Sequence, residues 1–434
     1  MHDSATMTTT SEGIRLPNID MDMDMGPRRR PFARWIDPFT ELAAVRQVWE
    51  ALAEPAKASY FLSWPWVENW LGSLPPTTRL ALLVLMQGET PVAAGFLGRR
   101  TLLRNRVVPS RAVFLNGTGW PEFDEICVEH NAWLTSAPLD LRDVLDAVPQ
   151  AWDELLLDAM DAIPDAVSVA EAWPVRLKVR ERRPCYLVDL EKVRRARDGE
   201  YLGLLAGDLR SQIKRSYKLH QARGPIALEV AAEPEHARDI FHELVALHQA
   251  TWKGRGEPGA FATPYFLRFH ERLIEGRLAH GEIQLMRIRA GTSTLGCLYN
   301  FVWNGTVSFY QSGVAYESDN RLKPGLVCHV EAIRHNARVG HRLYDFLAGD
   351  ARYKRGLSTD VREMVWATVQ RPRLRFLAED LVRIVVAAVR QHRGDEAAAA
   401  GGSAGAEVRG RNSASPGATA DPAPRPRTGE DAAA

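Results

Sequence analysis

The sequence lacks three features that would indicate a secreted or membrane-spanning protein. Its four cysteines, Cys127, Cys185, Cys297 and Cys328, are far apart and fit no zinc-binding motif. No run of about 18 apolar residues occurs, so no transmembrane helix is predicted. The N-terminus has no apolar signal-peptide core, because Met21–Met25 alternates Met with Asp. These absences predict buried, reduced thiols and a cytoplasmic protein.

The sequence also has almost no net charge, because 55 Lys and Arg residues face 54 Asp and Glu residues. This balance excludes a protein whose whole surface binds nucleic acid, and no DNA partner is expected, but a local basic patch is compatible with it. GxSxG, P-loop and HExxH motifs are absent as well, which removes the local signatures of three large enzyme classes.

The two ends of the chain differ in composition from the middle. Residues 1–30 are polar and unpatterned, and residues 393–434 consist mostly of Ala, Gly, Pro, Ser and charged residues. Both segments are predicted to be disordered, because they offer too little apolar surface to form a core. The ordered part is expected to form two domains, residues 31–200 and residues 201–392, the second of which ends in an amphipathic helix over Arg371–Arg390.

Two stretches about 200 residues apart have similar patterns. Phe61–Trp66 and Phe261–Phe266 each begin an aromatic-rich helix that leads into a predicted β-hairpin. Repeat units of solenoid proteins are only about 20–50 residues long, so this period predicts two copies of one domain. The alternative is a chance similarity between two common patterns of one helix and two strands.

The second copy can be followed further along the chain. Three strands are predicted, with an Asn304-Gly305 turn before the third, and a helix and another strand follow. Gly340 is predicted to end that helix. The order of helix, three antiparallel strands, loop, helix and strand predicts a mixed α/β sheet of the acyl-CoA N-acyltransferase type. The predicted segments are strands Ile283–Ile288, Leu295–Trp303 and Val307–Ala315, helix Leu326–Val339 and strand Arg342–Leu347.

The loop Arg321–Gly325 is the main candidate site. It joins a predicted strand to the first turn of a helix, where backbone N–H groups lack partners and the helix dipole favours an anion. A phosphate group binds well at such a place, and Gly325 allows the ligand to approach the backbone closely. Arg321 and Lys323 can add positive charge, and Pro324 can fix the start of the helix. The alternative is an ordinary turn with a helix cap.

The sequence resembles the GNAT superfamily of acyltransferases, in the branch of CelD-like cellulose-biosynthesis acetyltransferases, which are relatives of the Fem-type aminoacyltransferases. The resemblance spans about Leu209–Leu357 and rests on the combination of five motifs. These are Leu209–Ser216, His248–Pro264, Tyr310–Gly313, Lys323–Gly325 and Tyr344–Lys354. It departs from the usual GNAT phosphate-binding pattern, because Arg321–Leu326 contains one glycine where that pattern has a glycine-rich run.

The resemblance implies tandem GNAT-like domains and transfer of an acetyl or other acyl group from acyl-CoA to an amine or hydroxyl, without a metal. It implies that Arg321, Lys323, Gly325 and the Leu326 backbone bind the donor. Catalytic candidates are Asp350, as an acceptor of the amine proton, Tyr353, as a proton donor to the thiolate, and Tyr310. Substrate-binding candidates are Trp252, Arg255, Gln311 and Lys354. For Asp350 and Lys354 the alternative is a surface ion pair.

Two further features leave alternatives open. The helix over Arg210–Arg223 carries several cations that either bind an anion, such as the 3′-phosphate of CoA, a sugar nucleotide or tRNA, or simply face solvent. His248 lies on an apolar helix face, where a hydrogen-bonded core histidine is favoured over a general base.

Three functions follow from these features. The first is acyl transfer from acyl-CoA to a small-molecule or saccharide acceptor in exopolysaccharide or envelope assembly. The second is a Fem-like transfer from aminoacyl-tRNA, and the third is a non-catalytic scaffold of the same fold. Nothing in the sequence predicts the oligomeric state.

Overall fold

The structure is a computed structural model that describes residues 30–149, 151–163, 175–197 and 200–381. The predicted N-terminal arm, apart from Arg30, and the predicted tail over residues 393–434 lie outside this range. The predicted helix Arg371–Arg390 is described only to residue 381, with helical residues at 374–381. The described residues from Pro31 onward belong to one compact unit.

One sheet of 13 strands runs through the described residues. The strands are β1 (Phe32–Ile36), β2 (Leu80–Gln87), β3 (Thr90–Arg104), β4 (Val108–Leu115), β5 (Leu134–Thr135), β6 (Glu154–Met160), β7 (Arg176–Asp189), β8 (Ile226–Val230), β9 (Ile283–Ala290), β10 (Ser293–Trp303), β11 (Thr306–Val314), β12 (Leu343–Ala348) and β13 (Asp360–Gln370).

Helices cover the sheet and connect its strands. They are α1 (Leu42–Ala53), α2 (Trp64–Ser73), α3 (Pro121–Asp124), α4 (Leu141–Ala147), α5 (Leu190–Arg195), α6 (Gly207–Gln221), α7 (Pro234–Gly254), α8 (Pro264–Arg277), α9 (Pro324–Arg338) and α10 (Arg352–Leu357). Short 3₁₀ turns lie at Tyr60–Leu62, Tyr201–Leu204, Ala260–Ala262 and Leu278–His280.

The predicted strands and helices of the second copy are confirmed within a few residues. Asn304 and Gly305 both have positive φ and form the turn between β10 and β11, as the Asn-Gly pair predicts. Gly340, at φ 98°, follows the end of α9. Helices α2 and α8 both begin with proline in the first turn, and the Ser63 side chain caps α2 by accepting from the Trp66 N–H.

The sheet order shows that the fold is duplicated. We call residues 31–200 the first half and the described residues 201–381 the second half. In the first half β1, β2, β3 and β4 are antiparallel neighbours, and β4 pairs with β6 in parallel. In the second half β8, β9, β10 and β11 are antiparallel neighbours, and β11 pairs with β12 in parallel. The predicted tandem organisation is therefore confirmed.

Each parallel pair is short. Strands β11 and β12 pair only from Thr306 with Leu343 to Ser308 with Asp345, and then the two strands separate. The first-half pair is equally short, over Ala112–Phe114, but it stops one residue before the end of β4. In the second half, β11 therefore continues for six residues beyond its pairing with β12.

The two halves exchange their last strands. Strand β13 comes last in the described second half, yet it pairs with β6 of the first half. Strand β7 comes last in the first half, yet it pairs with β12 of the second half. The exchanged strands also pair with each other, from Asp360 with Leu187 to Gln370 with Arg176. The sheet is therefore continuous, and neither half completes its own sheet.

Aromatic packing adds a second junction between the halves. Trp66 of α2 packs against Phe269 of α8 with ring centroids 4.9 Å apart, and Tyr60 stacks on Phe301 of β10 at 4.7 Å. The Asn69 side chain donates to the Phe269 carbonyl across the same junction. Among the described residues, every helix is too short or too polar to cross a bilayer.

Candidate functional site

The donor loop, which we define as Arg321–Leu326, lies where the sequence predicts it, between β11 and the first turn of α9. Lys323 has a left-handed backbone with φ 41°, and Pro324 occupies the first helical turn. A Cβ atom on Gly325 would meet its nearest neighbour, the Tyr316 hydroxyl, at 3.8 Å. The space in front of Gly325 is therefore open, and a small side chain would fit there.

The structure revises which backbone groups of this loop can bind a ligand. The Leu326 N–H donates to the Lys323 carbonyl at 3.1 Å and is already used. The Gly325 N–H has no hydrogen-bond partner among the described residues that precede α9. The Gly325 N–H, at the positive end of the α9 dipole, is therefore available to an anion, whereas the Leu326 N–H is engaged in the turn.

The two cations of the donor loop differ in their surroundings. Arg321 is exposed and pairs with Asp319 at 2.8 Å, so its charge is largely neutralised. Lys323 is half-buried and forms no ion pair with a described residue. Lys323 is therefore the more available cation for a phosphate group.

Two tyrosines lie beside the donor loop. Tyr353, at the start of α10, stacks on His329 of α9 with ring centroids 5.1 Å apart and planes at 16°. Burial raises the pKa of Tyr353, and the neighbouring Tyr316 adds to the shift. The phenol therefore stays protonated at neutral pH. Its hydroxyl has no hydrogen-bond partner in the described part of the chain, so it is free to donate a proton.

Two other predicted site residues, Asp350 and Lys354, form hydrogen bonds with neighbouring residues. Asp350 is exposed and accepts from Arg355 at 2.6 Å and from the Tyr186 hydroxyl at 2.8 Å, and both contacts hold the pKa of its carboxyl below the usual value. Such a carboxylate is a weak base at neutral pH. Lys354 is buried and donates to the Ala348 carbonyl at 2.9 Å. The alternative of a surface ion pair between Asp350 and Lys354 is therefore wrong, because Asp350 pairs with Arg355 instead.

Tyr310 and Gln311 lie on β11 away from the loop. The Tyr310 hydroxyl donates to the Ile126 carbonyl of the first half at 2.7 Å and lies 3.2 Å from His270 Nε2. This geometry favours a structural role between the halves, and a catalytic role for Tyr310 stays a prediction. Gln311 is half-buried opposite Tyr299 of β10.

The predicted acceptor residues follow α7, which continues to Gly254. Trp252 is therefore in the last helical turn, and Arg255 is exposed just after it, with its guanidinium 5.4 Å from the Trp252 ring centroid. His248 Nδ1 lies 3.0 Å from the Ser312 carbonyl, and its Nε2 lies 3.4 Å from the Ala260 nitrogen. The preference for a hydrogen-bonded core histidine at position 248 is confirmed.

Helix α7 approaches β11 closely at Gly313. A Cβ atom there would collide with the Leu244 carbonyl, so only glycine allows this approach. On the other side of the sheet, Gly296 of β10 faces Cys328 of α9 in the same way. These glycines bring α7 and α9 onto opposite faces of β10 and β11 and so fix both sides of the diverging strands.

The basic helix, α6, is held against the donor loop. Ser216 Oγ and His220 Nε2 both donate to the Leu322 carbonyl, the latter at 2.9 Å. Burial lowers the pKa of His220, which keeps the ring neutral with one N–H available as the donor. The sequence did not single out Ser216 or His220, although both lie within the predicted basic helix at a spacing of four residues.

The first half contains a loop in the equivalent position, residues Asn116–Trp120, between β4 and α3. Here the Asp124 carboxylate accepts from the Thr118 N–H at 2.8 Å and from the Gly119 N–H at 2.6 Å. Burial raises the pKa of Asp124 to about 6, and these hydrogen bonds oppose the shift. In the first half, the backbone N–H groups of this loop therefore donate to a side chain, whereas the equivalent loop of the second half faces an open space.

A buried cluster joins the halves at the end of β12. His130 Nε2 lies 2.8 Å from Asp345 Oδ2, its Nδ1 lies 2.7 Å from Asp161, and Cys185 Sγ lies 3.1 Å from Asp345 Oδ1. The Leu347 N–H donates to Asp345 Oδ1 at 2.7 Å, where Leu347 has a left-handed φ of 59°. The carboxylate of Asp345 thus connects the first half to a bulge in β12.

Glu129 and Lys354 complete this cluster. The Ala348 N–H donates to Glu129 Oε2 at 2.6 Å, and Lys354 Nζ donates to the Ala348 carbonyl. His130, Cys185 and Asp345 also offer three ligand atoms within 4.8 Å of one another, so they have the composition of a metal site. In the structure these atoms satisfy each other by hydrogen bonding.

Comparison with known proteins agrees with this geometry. Residues 207–355 match the family model described as an acetyltransferase (GNAT) domain, and this range runs from the start of α6 into α10. The crystal structure of FemX is similar to the chain, with a TM-score of 0.50 and 11% identity, covering 74% of this chain and 95% of FemX. No curated protein sequence matches the chain.

Two further solved structures are similar at lower scores. A tandem GNAT protein from the clavulanic acid biosynthesis pathway has a TM-score of 0.42 and 13% identity, covering 79% of this chain and 99% of that protein. The C-terminal domain of a putative lysylphosphatidylglycerol synthetase from Agrobacterium fabrum has a TM-score of 0.42 and 12% identity, covering 78% and 96%. Residues 207–355 of this chain therefore have a GNAT-type fold.

Proposed function

We propose that the second half transfers an acyl group from acyl-CoA to an amine or hydroxyl and that the donor binds at the donor loop. One observation carries the proposal: β11 and β12 diverge after Ser308 and Asp345, directly beside the open N-terminus of α9. The unpartnered N–H group of Gly325 suits the pyrophosphate of CoA. We place the extended arm that carries the thioester between the strands, where their pairing has ended.

The chemistry of this transfer needs few special groups. The acceptor nitrogen or oxygen attacks the thioester carbonyl carbon, the carbon–sulfur bond breaks, and the CoA thiolate leaves. We assign the proton for that thiolate to Tyr353, which is protonated at neutral pH and whose hydroxyl is unpartnered among the described residues, and solvent returns a proton to Tyr353 in the same turnover. The proton lost by the acceptor passes to solvent or to Asp350, and most of the rate enhancement comes from positioning. No metal is assigned to the reaction.

We place the acceptor beside Arg255. Desolvation raises the pKa of Tyr316, and the charge of Arg255 opposes the shift, so the two side chains are electrostatic neighbours. The Tyr316 hydroxyl in turn lies 3.8 Å from the Cβ position of Gly325. Trp252 and Gln311 are the further candidates for acceptor contact, whereas the buried Lys354 would act by holding the β12 carbonyls.

We infer that the first half binds no acyl donor. Its equivalent loop is closed by Asp124, and α3 has four residues where α9 has 15, so it offers no developed helix dipole. The first half would then support the second through the exchanged strands and the cluster at Asp345. The predicted domain boundaries, residues 31–200 and 201–392, fit this division of roles.

The proposal extends to the type of acceptor and to the cellular location. The CelD-like motifs favour a saccharide or related acceptor in polysaccharide or envelope assembly. A cytoplasmic location fits the four cysteines, each of which has a free thiol. The prediction that all four are buried is wrong for Cys127, which is exposed. The alternative donor, aminoacyl-tRNA, and the alternative of a non-catalytic scaffold make different predictions for acyl-CoA binding.

Native mass spectrometry of the full chain with acetyl-CoA and longer acyl-CoAs tests the proposal. We expect one bound acyl-CoA per chain, because only one half has an open donor loop. Binding of none would contradict the acyl-CoA donor and favour tRNA or a scaffold. Binding of two would contradict the assignment of the first half as a supporting unit.

A further inference from the structure

A cavity beside the donor loop has no role in the proposed chemistry. It measures about 470 Å³ and is lined by Asp208, Ser211, Gln212 and Arg215 of α6 and by Asn320, Arg321 and Lys323 of the loop region. The four α6 residues recur at intervals of three and four, so they share one face of the helix. This face lies next to the one that Ser216 and His220 fix to the Leu322 carbonyl.

The hydrogen bonds between α6 and the Leu322 carbonyl hold the two walls of the cavity together. His220 is fully buried, with a neutral ring that donates to Leu322, and Ile213 on the same helix is also fully buried in the second-half core. The helix therefore cannot move away from the loop without leaving a buried carbonyl unpaired, which is unfavourable. The cavity walls are held in place before any ligand arrives.

The cationic and acidic side chains of the cavity lie toward different ends of it. Arg215 and Lys323 form no ion pair with a described residue, whereas Arg321 is neutralised by Asp319 at 2.8 Å. Asp208 is the acidic residue of the lining and precedes Arg215 by seven positions, or about 10 Å along the helix. The cavity thus has a cationic end near Lys323 and an end that offers a carboxylate, with amide and hydroxyl groups between them.

This arrangement suits a small phosphorylated molecule with polar groups at its other end. A phosphate group pairs with guanidinium and ammonium groups, and a base or ribose can hydrogen-bond to Ser211, Gln212 and Asp208. Lys323 belongs both to this cavity and to the donor loop, so a ligand in the cavity would continue toward the α9 N-terminus. The volume is sufficient for a nucleoside.

We propose that this cavity binds the 3′-phosphorylated adenosine of the acyl-CoA donor, with Arg215 and Lys323 pairing with the 3′-phosphate. The inference rests on the proposed function, because it names the part of the same donor that lies beyond the pyrophosphate. It assigns to α6 a role in donor recognition in addition to its packing on the loop. It also explains why the unpaired Arg215 faces the loop.

Isothermal titration of the full chain with CoA and with dephospho-CoA, which lacks only the 3′-phosphate, tests the inference at constant ionic strength. The parent should bind CoA roughly 10- to 100-fold more tightly than dephospho-CoA, the range expected for a lost charge-assisted contact. Arg215→Ala should weaken CoA binding and leave dephospho-CoA binding unchanged, so the preference should shrink to about threefold or less. Lys218→Ala, which removes the same charge from the same helix outside the cavity lining, should keep the parent's preference.

The outcomes separate the inference from the proposed function. If CoA and dephospho-CoA bind the parent equally, the cavity does not hold the 3′-phosphate, but the donor assignment survives. If Lys218→Ala and Arg215→Ala act alike, the helix supplies only a general positive field, and the inference is overturned. If neither ligand binds and uncharged tRNA does, both the inference and the acyl-CoA donor are overturned.

Discussion

The Asp124 carboxylate lies 2.6 Å from the Gly119 nitrogen and accepts its N–H, at the position in the first half where the second half presents the open donor loop. The two loops follow equivalent strands, and each precedes a helix that begins with proline. The duplicated fold has therefore left one of these two loops open and closed the other with its own side chain.

Asp124→Ala should destabilise the protein by about 1–3 kcal/mol, because it leaves the Thr118 and Gly119 N–H groups without their acceptor. Acyl-CoA affinity should not change. Chemical denaturation and titration calorimetry measure the two effects. Glu122→Ala, on the same short helix but exposed, should cost less than about 0.5 kcal/mol. A marked loss of donor affinity in Asp124→Ala would mean that the first half takes part in donor binding.

Local patterns predicted the second half well. The strands β9, β10 and β11, the Asn304-Gly305 turn and the end of α9 near Gly340 all depend on residues close in sequence, and each is confirmed. The donor loop was predicted for the same reason, since a strand, a Lys-Pro-Gly segment and a helix follow one another directly.

Contacts between distant residues could not be predicted in this way. Pairing of β7 with β13 joins residues more than 170 positions apart, as in Leu187 with Asp360, and neither strand carries a signal for its partner. The contact between Tyr310 and Ile126 crosses the halves as well, so the local motif Tyr310–Gly313 could not predict it. The loop that Asp124 closes could have been found from the sequence. It contains Gly117-Thr-Gly119 before Pro121, and the donor loop likewise combines glycine and proline at the start of a helix.

The exchanged strands predict that the chain unfolds as one unit. Removal of core volume in either half, by Trp49→Ala or by Phe301→Ala, should lower a single shared transition, since each half supplies a strand to the other. Both side chains are fully buried, so each change should cost about 3–5 kcal/mol. Coincident unfolding curves from circular dichroism and tryptophan fluorescence would support this expectation. Two separate transitions, or a folded fragment of residues 31–200 alone, would refute it.

The pair of His130 and Asp345 predicts a pH-dependent stability. Burial alone would lower the pKa of His130, but hydrogen bonds to Asp161 and Asp345 raise it well above its ordinary value. A folded-state pKa that is raised adds stability in full below about pH 6.5, and this stability is lost as the pH rises through the folded-state value. His130→Gln should therefore destabilise the protein more at pH 6 than at pH 9.5.

Thermal melting of parent and His130→Gln proteins at the two pH values measures this difference. His236→Gln is the control, because His236 is much more exposed and its contact with Glu229 is long, at 3.4 Å. An equal loss at both pH values for His130→Gln would mean that the ring is neutral and acts through packing alone.

Two tyrosine variants distinguish the catalytic candidates. Tyr353→Phe keeps the ring stacked on His329 but removes the proton donor, so kcat should fall by roughly two orders of magnitude while donor affinity stays within about twofold. Tyr310→Phe should cost about 1 kcal/mol of stability, through its contact with Ile126, and leave kcat nearly unchanged. Release of the CoA thiol in the presence of an amine or saccharide acceptor gives the rates. If Tyr310→Phe lowers kcat and Tyr353→Phe does not, Tyr310 is the proton donor and Tyr353 has the structural role.

The central claim is that the open N-terminus of α9 binds the acyl-CoA pyrophosphate, and substitution of Gly325 tests it most directly. Because a Cβ atom fits at Gly325, both Gly325→Ala and Gly325→Asp should fold, which circular dichroism can verify. Titration calorimetry with acetyl-CoA should show near-parental affinity for Gly325→Ala. Gly325→Asp should bind roughly 100- to 1,000-fold more weakly, because its charge would lie against the pyrophosphate. If folded Gly325→Asp binds acetyl-CoA as well as the parent does, the donor binds elsewhere and the account is wrong.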